Sequence, residues 1–72
     1  MEQARWRILV ERYAIRARAF SDAVALLGRA TLSPTECRQQ LEEIRMHHES
    51  CVAAAEEVEE YIHRKAAAAD EE

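Results

Sequence analysis

The chain has 72 residues, a third of them charged, with a net charge of −4. A single core of this size supplies only about 3–5 kcal/mol, so a metal, a disulfide or self-association is expected to help hold it together. The acidic balance makes the chain a poor general polyanion binder. Uncharged stretches such as 23–28 and 50–55 fall far short of the roughly 20 apolar residues that a membrane span needs.

Met1 to Arg7 contains Glu2, Arg5 and Arg7 and lacks the apolar run of a signal peptide, so a soluble, cytoplasmic protein is expected. Trp6, Val10, Tyr13, Ala17, Phe20, Val24 and Leu27 then recur with a 4,3 spacing. That spacing predicts one helix over about residues 3–27, with Gly28 placed to end it in a left-handed cap. Fourteen alanines, one glycine and one proline suit an all-α chain, and no segment carries a strand pattern.

Residues 28–33 form the predicted turn. In Leu32-Ser33-Pro34-Thr35-Glu36-Cys37, Ser33 suits the N-cap and Pro34 the first helical position, where no N–H is needed. Glu36 can reach back to the cap, and Leu32 with Cys37 can form a hydrophobic staple. The second helix is expected from Pro34 to about residue 66, with a frayed acidic tail over 67–72. Its stripe is Cys37, Leu41, Ile44, His48, Cys51, Ala55, Val58 and Ile62.

So short a turn directs the helices antiparallel. The expected layers are Leu27/Cys37, Val24/Leu41, Phe20/Ile44, Ala17/His48, Tyr13/Cys51, Val10/Ala55 and Trp6/Val58, with Arg7 brought near Glu59. Residues 1–30 carry six arginines against Glu2, Glu11 and Asp22, whereas 31–72 carry four basic and eleven acidic groups. The two halves therefore attract each other.

One hairpin covers only one side of each stripe. The single 1–72 domain is thus expected to be a coiled-coil-like, antiparallel two-helix hairpin that dimerises into a four-helix bundle. The residues expected to carry the interaction are Trp6, Val10, Tyr13, Phe20, Leu41, Ile44, His48 and Cys51. Ile8 and Ile15, with Ala19 and Leu26, lie on the opposite face of the first helix, where they are either scattered surface aliphatics or a patch for an unidentified protein partner.

Metal-competent residues cluster only at His47-His48-Glu49-Ser50-Cys51. His47 or His48 with Cys51 spans one helical turn and offers two of the four ligands of a zinc site, which a two-fold dimer could complete. The structural alternative makes His48 and Cys51 ordinary stripe residues. His48 opposite Ala17 would then be a core group whose protonation weakens the bundle. Glu60 and His63 give one Glu-x-x-His, a di-iron spacing that finds no further carboxylates on the first stripe. Cys37, near a helix N-terminus, is either a reactive thiol or the staple partner of Leu32. The two cysteines lie about 21 Å apart along one helix, too far to pair within a chain, and free thiols suit a reducing compartment.

Phe20-Ser21-Asp22-Ala23-Val24, the Gly28 turn, Glu43-x-Arg45, and Cys51 followed by alanines and Tyr61-Ile62-His63 resemble a group of short bacterial helical-hairpin proteins with no assigned activity. The resemblance covers most of the chain and implies the fold alone. The chain departs from that group in ending with alanines and acids instead of a His- and Cys-containing tail.

No set of residues forms a catalytic constellation or a phosphate-binding loop, so no enzyme and no cofactor are expected. The arginines are spread over both flanks of the first stripe, unlike those of a nucleic-acid binder. The sequence points to a non-enzymatic, homodimeric helical interaction module. The alternative is a metal-binding or thiol-redox protein using His47 or His48 with Cys51.

Overall fold

A computed structural model describes the backbone of residues 2–29 and 31–71 and the side chains of residues 3–29 and 31–68. Two helices, α1 (Glu2–Arg29) and α2 (Pro34–Glu71), make up the fold, and the described residues include no strand.

Helix α1 does not stop at Gly28. No described glycine has a positive φ, so the expected left-handed cap is not formed there and the helix runs on through Arg29. The basic side chain of Arg29 in the last turn suits the negative end of the helix dipole. A Cβ at position 28 would meet nothing within 4 Å, so neither backbone conformation nor crowding demands glycine at this position.

Helix α2 starts as the sequence dictates. The Glu36 N–H donates to Ser33 Oγ at 3.2 Å, and the Ser33 N–H donates to Glu36 Oε1 at 3.0 Å. This reciprocal capping box satisfies two N–H groups that the first turn would otherwise leave free. The Cys37 N–H donates to the Ser33 carbonyl at 2.8 Å, closing the first helical turn. Leu32 and Cys37 are both half-buried, and the Cys37 thiol donates weakly to the Leu32 carbonyl at 3.9 Å. The helix then continues to Glu71 instead of fraying from residue 67. Alanine has the highest helix propensity of any residue, and the 66–69 run carries the backbone into the acidic end.

The contacts between helices run in a consistent order. Ascending α1, Trp6 meets Tyr61, Arg12 meets Glu57, Arg16 meets Ser50, Phe20 meets His48 and Ala23 meets Gln40. Trp6 thus stacks on Tyr61 rather than Val58, and Phe20 on His48 rather than Ile44. Helical side chains lean toward their own N-termini. Large pairs therefore meet three or four residues further from the turn than backbone layers alone would suggest.

The faces in contact also differ from the expected stripes. In α2 the half-buried or buried positions are Cys37, Gln40, Ile44, His47, Ser50, Cys51, Ala54, Ala55, Val58 and Tyr61, whereas Leu41, His48 and Ile62 are exposed. The seam follows a 3,4 rhythm through Gln40, His47, Ala54 and Tyr61 instead of Leu41, His48 and Ile62. Among the described residues, Ala23 (8% exposed) and Ala54 (3%) are the buried apolar ones. With only a methyl group each, they let the backbones approach where Leu or Ile would hold them apart. Gln40 adds a hydrogen bond from Nε2 to the Ala23 carbonyl at 2.9 Å, so the polar side chain on the seam is satisfied.

The result is a slender rod, 59 × 17 × 13 Å, with a radius of gyration of 16.8 Å. A compact chain of this length would have a radius of about 11 Å. Its accessible surface is 6028 Å², against about 4,600 Å² for a globular protein of this mass.

Candidate interaction face

The two long sides of the rod are chemically different. On one side, Arg12 Nη1 pairs with Glu57 Oε2 at 3.0 Å and Arg16 donates to Ser50 Oγ. These polar pairs fasten the helices at their edge. Exposed pairs of this kind contribute under about 1 kcal/mol each, so they set orientation more than stability.

On the other side Phe20 stacks on His48, with ring centroids 5.2 Å apart and an interplanar angle of 53°. At about 100° per residue, Trp6, Val10, Tyr13, Ala17 and Val24 cluster on the same flank of α1 as Phe20. Leu41, Ile44, His48, Cys51, Ala55 and Ile62 cluster on the matching flank of α2. The two clusters merge into one apolar face along the rod. Its large members remain wet: Trp6 is 37% exposed, Leu41 54% and Ile62 50%, and Val10, Tyr13 and Val24 are also exposed. Leaving side chains of this size half in water forgoes about 1 kcal/mol each.

The structure thus divides the expected interaction residues. Phe20, Ile44 and Cys51 are half-buried within the hairpin, while Trp6, Val10, Tyr13, Leu41 and His48 are exposed on the apolar face. Ile8 and Ile15 lie on the other side, lining a shallow groove with Glu11, Arg12 and Arg16. Sequence reasoning missed the seam residues Gln40, His47, Ala54 and Tyr61. The small residues Ala23 and Ala54, each one position before a member of the expected stripe, were the signal that could have found this closer seam.

The open end of the rod is held by Trp6 and Tyr61, whose ring centroids are 5.6 Å apart, with the Lys65 ammonium 5.4 Å from the Tyr61 ring centroid. Beside them an open groove of about 490 Å³ is lined by residues including Arg5, Leu9, Arg12 and Arg64. Arg12 is matched there by Glu57, and Arg64 by Glu60.

His47 and His48 diverge, His47 half-buried in the seam and His48 exposed against Phe20, with Cys51 between them in angle. Within the single hairpin His48 is thus exposed rather than enclosed opposite Ala17. Among the described residues no three of His, Cys, Asp and Glu gather as a metal site would require. Glu60 pairs with Arg64, and His63 is exposed. Cys37 and Cys51 are both free thiols. Arg7 and Glu59 form no ion pair with each other in the hairpin.

Glu36, fully exposed, has its carboxyl held below the ordinary value of 4.5, first by the hydrogen bond from the Ser33 backbone and then by the Ser33 hydroxyl. This is the electrostatic signature of the capping box, and it lies outside the apolar face.

No family model, curated protein or solved structure matches this chain. The functional reading therefore rests on its own residues. No described helix is long and apolar enough to cross a membrane.

Proposed function

We propose that the chain is an antiparallel helical hairpin whose apolar face takes a second copy of itself, giving a four-helix bundle that serves as a non-enzymatic interaction module. One observation carries this reading. Among the described residues only Ala23 and Ala54 are buried, while Trp6, Val10, Tyr13, Val24, Leu41 and Ile62 stand exposed on a single continuous face.

In a bundle each helix touches two neighbours, so its apolar stripe spans both seams and the wedge between them. The hairpin seam uses one edge of each stripe: Phe20 and Leu27 on α1, and Ile44, Cys51 and Val58 on α2. The remainder is the edge that a second hairpin would cover. Pairing would also bring the surface excess of the rod toward that of a globular assembly. The descending order of contacts from Trp6–Tyr61 to Ala23–Gln40 supports the antiparallel course. Free thiols at Cys37 and Cys51 suit a reducing, cytoplasmic setting.

The arginines support a protein partner over a nucleic acid. Arg12 and Arg16 are engaged with Glu57 and Ser50 on one side, while Arg7 and Arg18 lie beyond the other edge of α1. No single basic face results. Sedimentation equilibrium tests the reading, with a dimer expected at micromolar concentration.

A further inference from the structure

Three histidines lie along α2, and the fold gives each a different place. His47 is half-buried in the hairpin seam, His63 is exposed on the line of Arg45, and His48 is exposed on the apolar face. On that face His48 stands about two turns inside Leu41 and about four turns inside Ile62. The other ionisable side chains there are a phenol, Tyr13, and a thiol, Cys51. Phenols and thiols ordinarily titrate at about 10 and 8.5, so an imidazole is the group that changes charge between about pH 5 and 8.

In the single hairpin both charge states of His48 are tolerated. The ring is open to water and tilts at 53° against Phe20, a neighbour whose π-face also accommodates a cation. From α1 it is faced by Ala17, Phe20 and Val24, with Tyr13 further along, and none of these is charged near neutral pH. On α2, Ile44 and Arg45 lie one turn before it and Cys51 and Val52 one turn after, while Glu49 lies on the outer edge. The charged neighbour one turn away is thus a cation, which does not favour an imidazolium.

A second copy covers His48 in either two-fold arrangement of the apolar faces. With the axis along the helices, the copy's α1 lies over the ring. The height set by Phe20–His48 brings Ala17 and Ser21 of the copy there, with its Arg18 at the outer edge. With the axis across the helices and the faces in full overlap, the copy's α2 brings Val52 and Ala55, its own His48 within about two turns, and Glu49 and Glu56 at the outer edge. The groups over the ring are small or apolar in both, and carboxylates approach only at a water-exposed edge, where ion pairs are weak. Burying an imidazolium in such surroundings is costly, so the covered ring is neutral.

We propose that His48 places assembly of the apolar face under proton control: two hairpins dock with both imidazoles neutral, and protonation of His48 releases them as intact helical hairpins. The proposal rests on the dimer proposed above, adds its regulation, and holds for either arrangement of the copies. The sign follows from linkage. Dissociation takes up one proton per chain, so dimer stability is constant above the ordinary imidazole value of about 6.5 and falls progressively below it. If each ring must shed its proton to be covered, moving from about pH 7.5 to about pH 5.5 raises the dissociation constant about tenfold per copy, or about 100-fold per dimer. Carboxylates ordinarily keep their charge throughout this window.

Sedimentation equilibrium and circular dichroism of the full-length chain across this pH range test the proposal. The expected result is the 100-fold weakening with helicity unchanged, and a flat profile in both His48→Leu and His48→Gln. His47→Gln should keep the wild-type profile. A wild-type dimer with a flat profile overturns the switch and leaves the dimer standing, whereas a helical monomer at the upper pH overturns both. A pH dependence that survives in both His48 variants, or that comes with loss of helicity, places the titration elsewhere and overturns the proposal. Nuclear magnetic resonance of the His48 ring in the wild-type chain needs no variant: its titration midpoint should fall as concentration is raised to populate the dimer, and an unchanged midpoint contradicts the switch.

Discussion

Phe20 and His48 stack with their centroids 5.2 Å apart on the side of the hairpin opposite the Arg12–Glu57 ion pair. That opposition gives the rod one side fastened by polar pairs, on which Ile8 and Ile15 are also exposed, and one open side that carries Trp6, Tyr13 and Leu41. A carboxylate placed on the open side should therefore cost assembly. Leu41→Glu and Val10→Glu are expected to shift sedimentation from dimer to monomer, because burying an unpaired charge costs several kcal/mol. Ile15→Glu, on the other side and 69% exposed, should leave the dimer intact. Loss of the dimer in Ile15→Glu alone would assign the interface to the wrong side.

The capping box makes a separate prediction about the start of α2. Ser33→Ala should destabilise the fold by about 1 kcal/mol, read by urea melting at fixed protein concentration. Glu36 adds a pH signature. Its folded carboxyl titrates below the ordinary 4.5, so its contribution is fully present above that value and lost as pH falls through the lowered folded value. The stability difference between the wild type and Glu36→Gln should be constant from pH 7 to the ordinary carboxylate value and narrow below it. A difference that widens on acidification would contradict the box.

Ala54 is the most buried of the described residues, 3% exposed. Ala54→Leu should cost about 1–3 kcal/mol through overpacking. Ala53→Leu, at an exposed neighbouring position, should change stability by under about 0.5 kcal/mol. Thermal melts of the two variants compare them directly, and equal effects would mean that the seam does not pass through position 54.

The Arg12–Glu57 pair is roughly half exposed on both sides, so Glu57→Gln should cost under about 1 kcal/mol. The loss should shrink as salt rises and screens the pair in the parent. A larger, salt-independent loss would show that Glu57 does more than fasten the edge.

The start of α2 was legible in the sequence because it is local chemistry: Ser33, Pro34 and Glu36 specify a cap without reference to the rest of the fold. Gly28 misled because glycine permits a left-handed cap without requiring one. The tail misled because acids suggested fraying, whereas the alanines before them favour helix. The phase of the seam was not legible from hydrophobic spacing. Leu41 and Ile62 outrank Gln40 and Ala54 in apolar character, yet close approach of two helices favours a small residue and a satisfied amide. The stripes themselves retain their meaning. In one hairpin they read as a misplaced core, and in a bundle they are the surface that both neighbours share.

Sedimentation equilibrium of the wild-type chain, with helicity verified by circular dichroism, tests the central claim most directly. One chain has a mass of 8.3 kDa. The account predicts a helical species of twice that mass at micromolar concentration, dissociating on dilution and disrupted by Leu41→Glu. A fully helical species that keeps the mass of one chain throughout the micromolar range would contradict it.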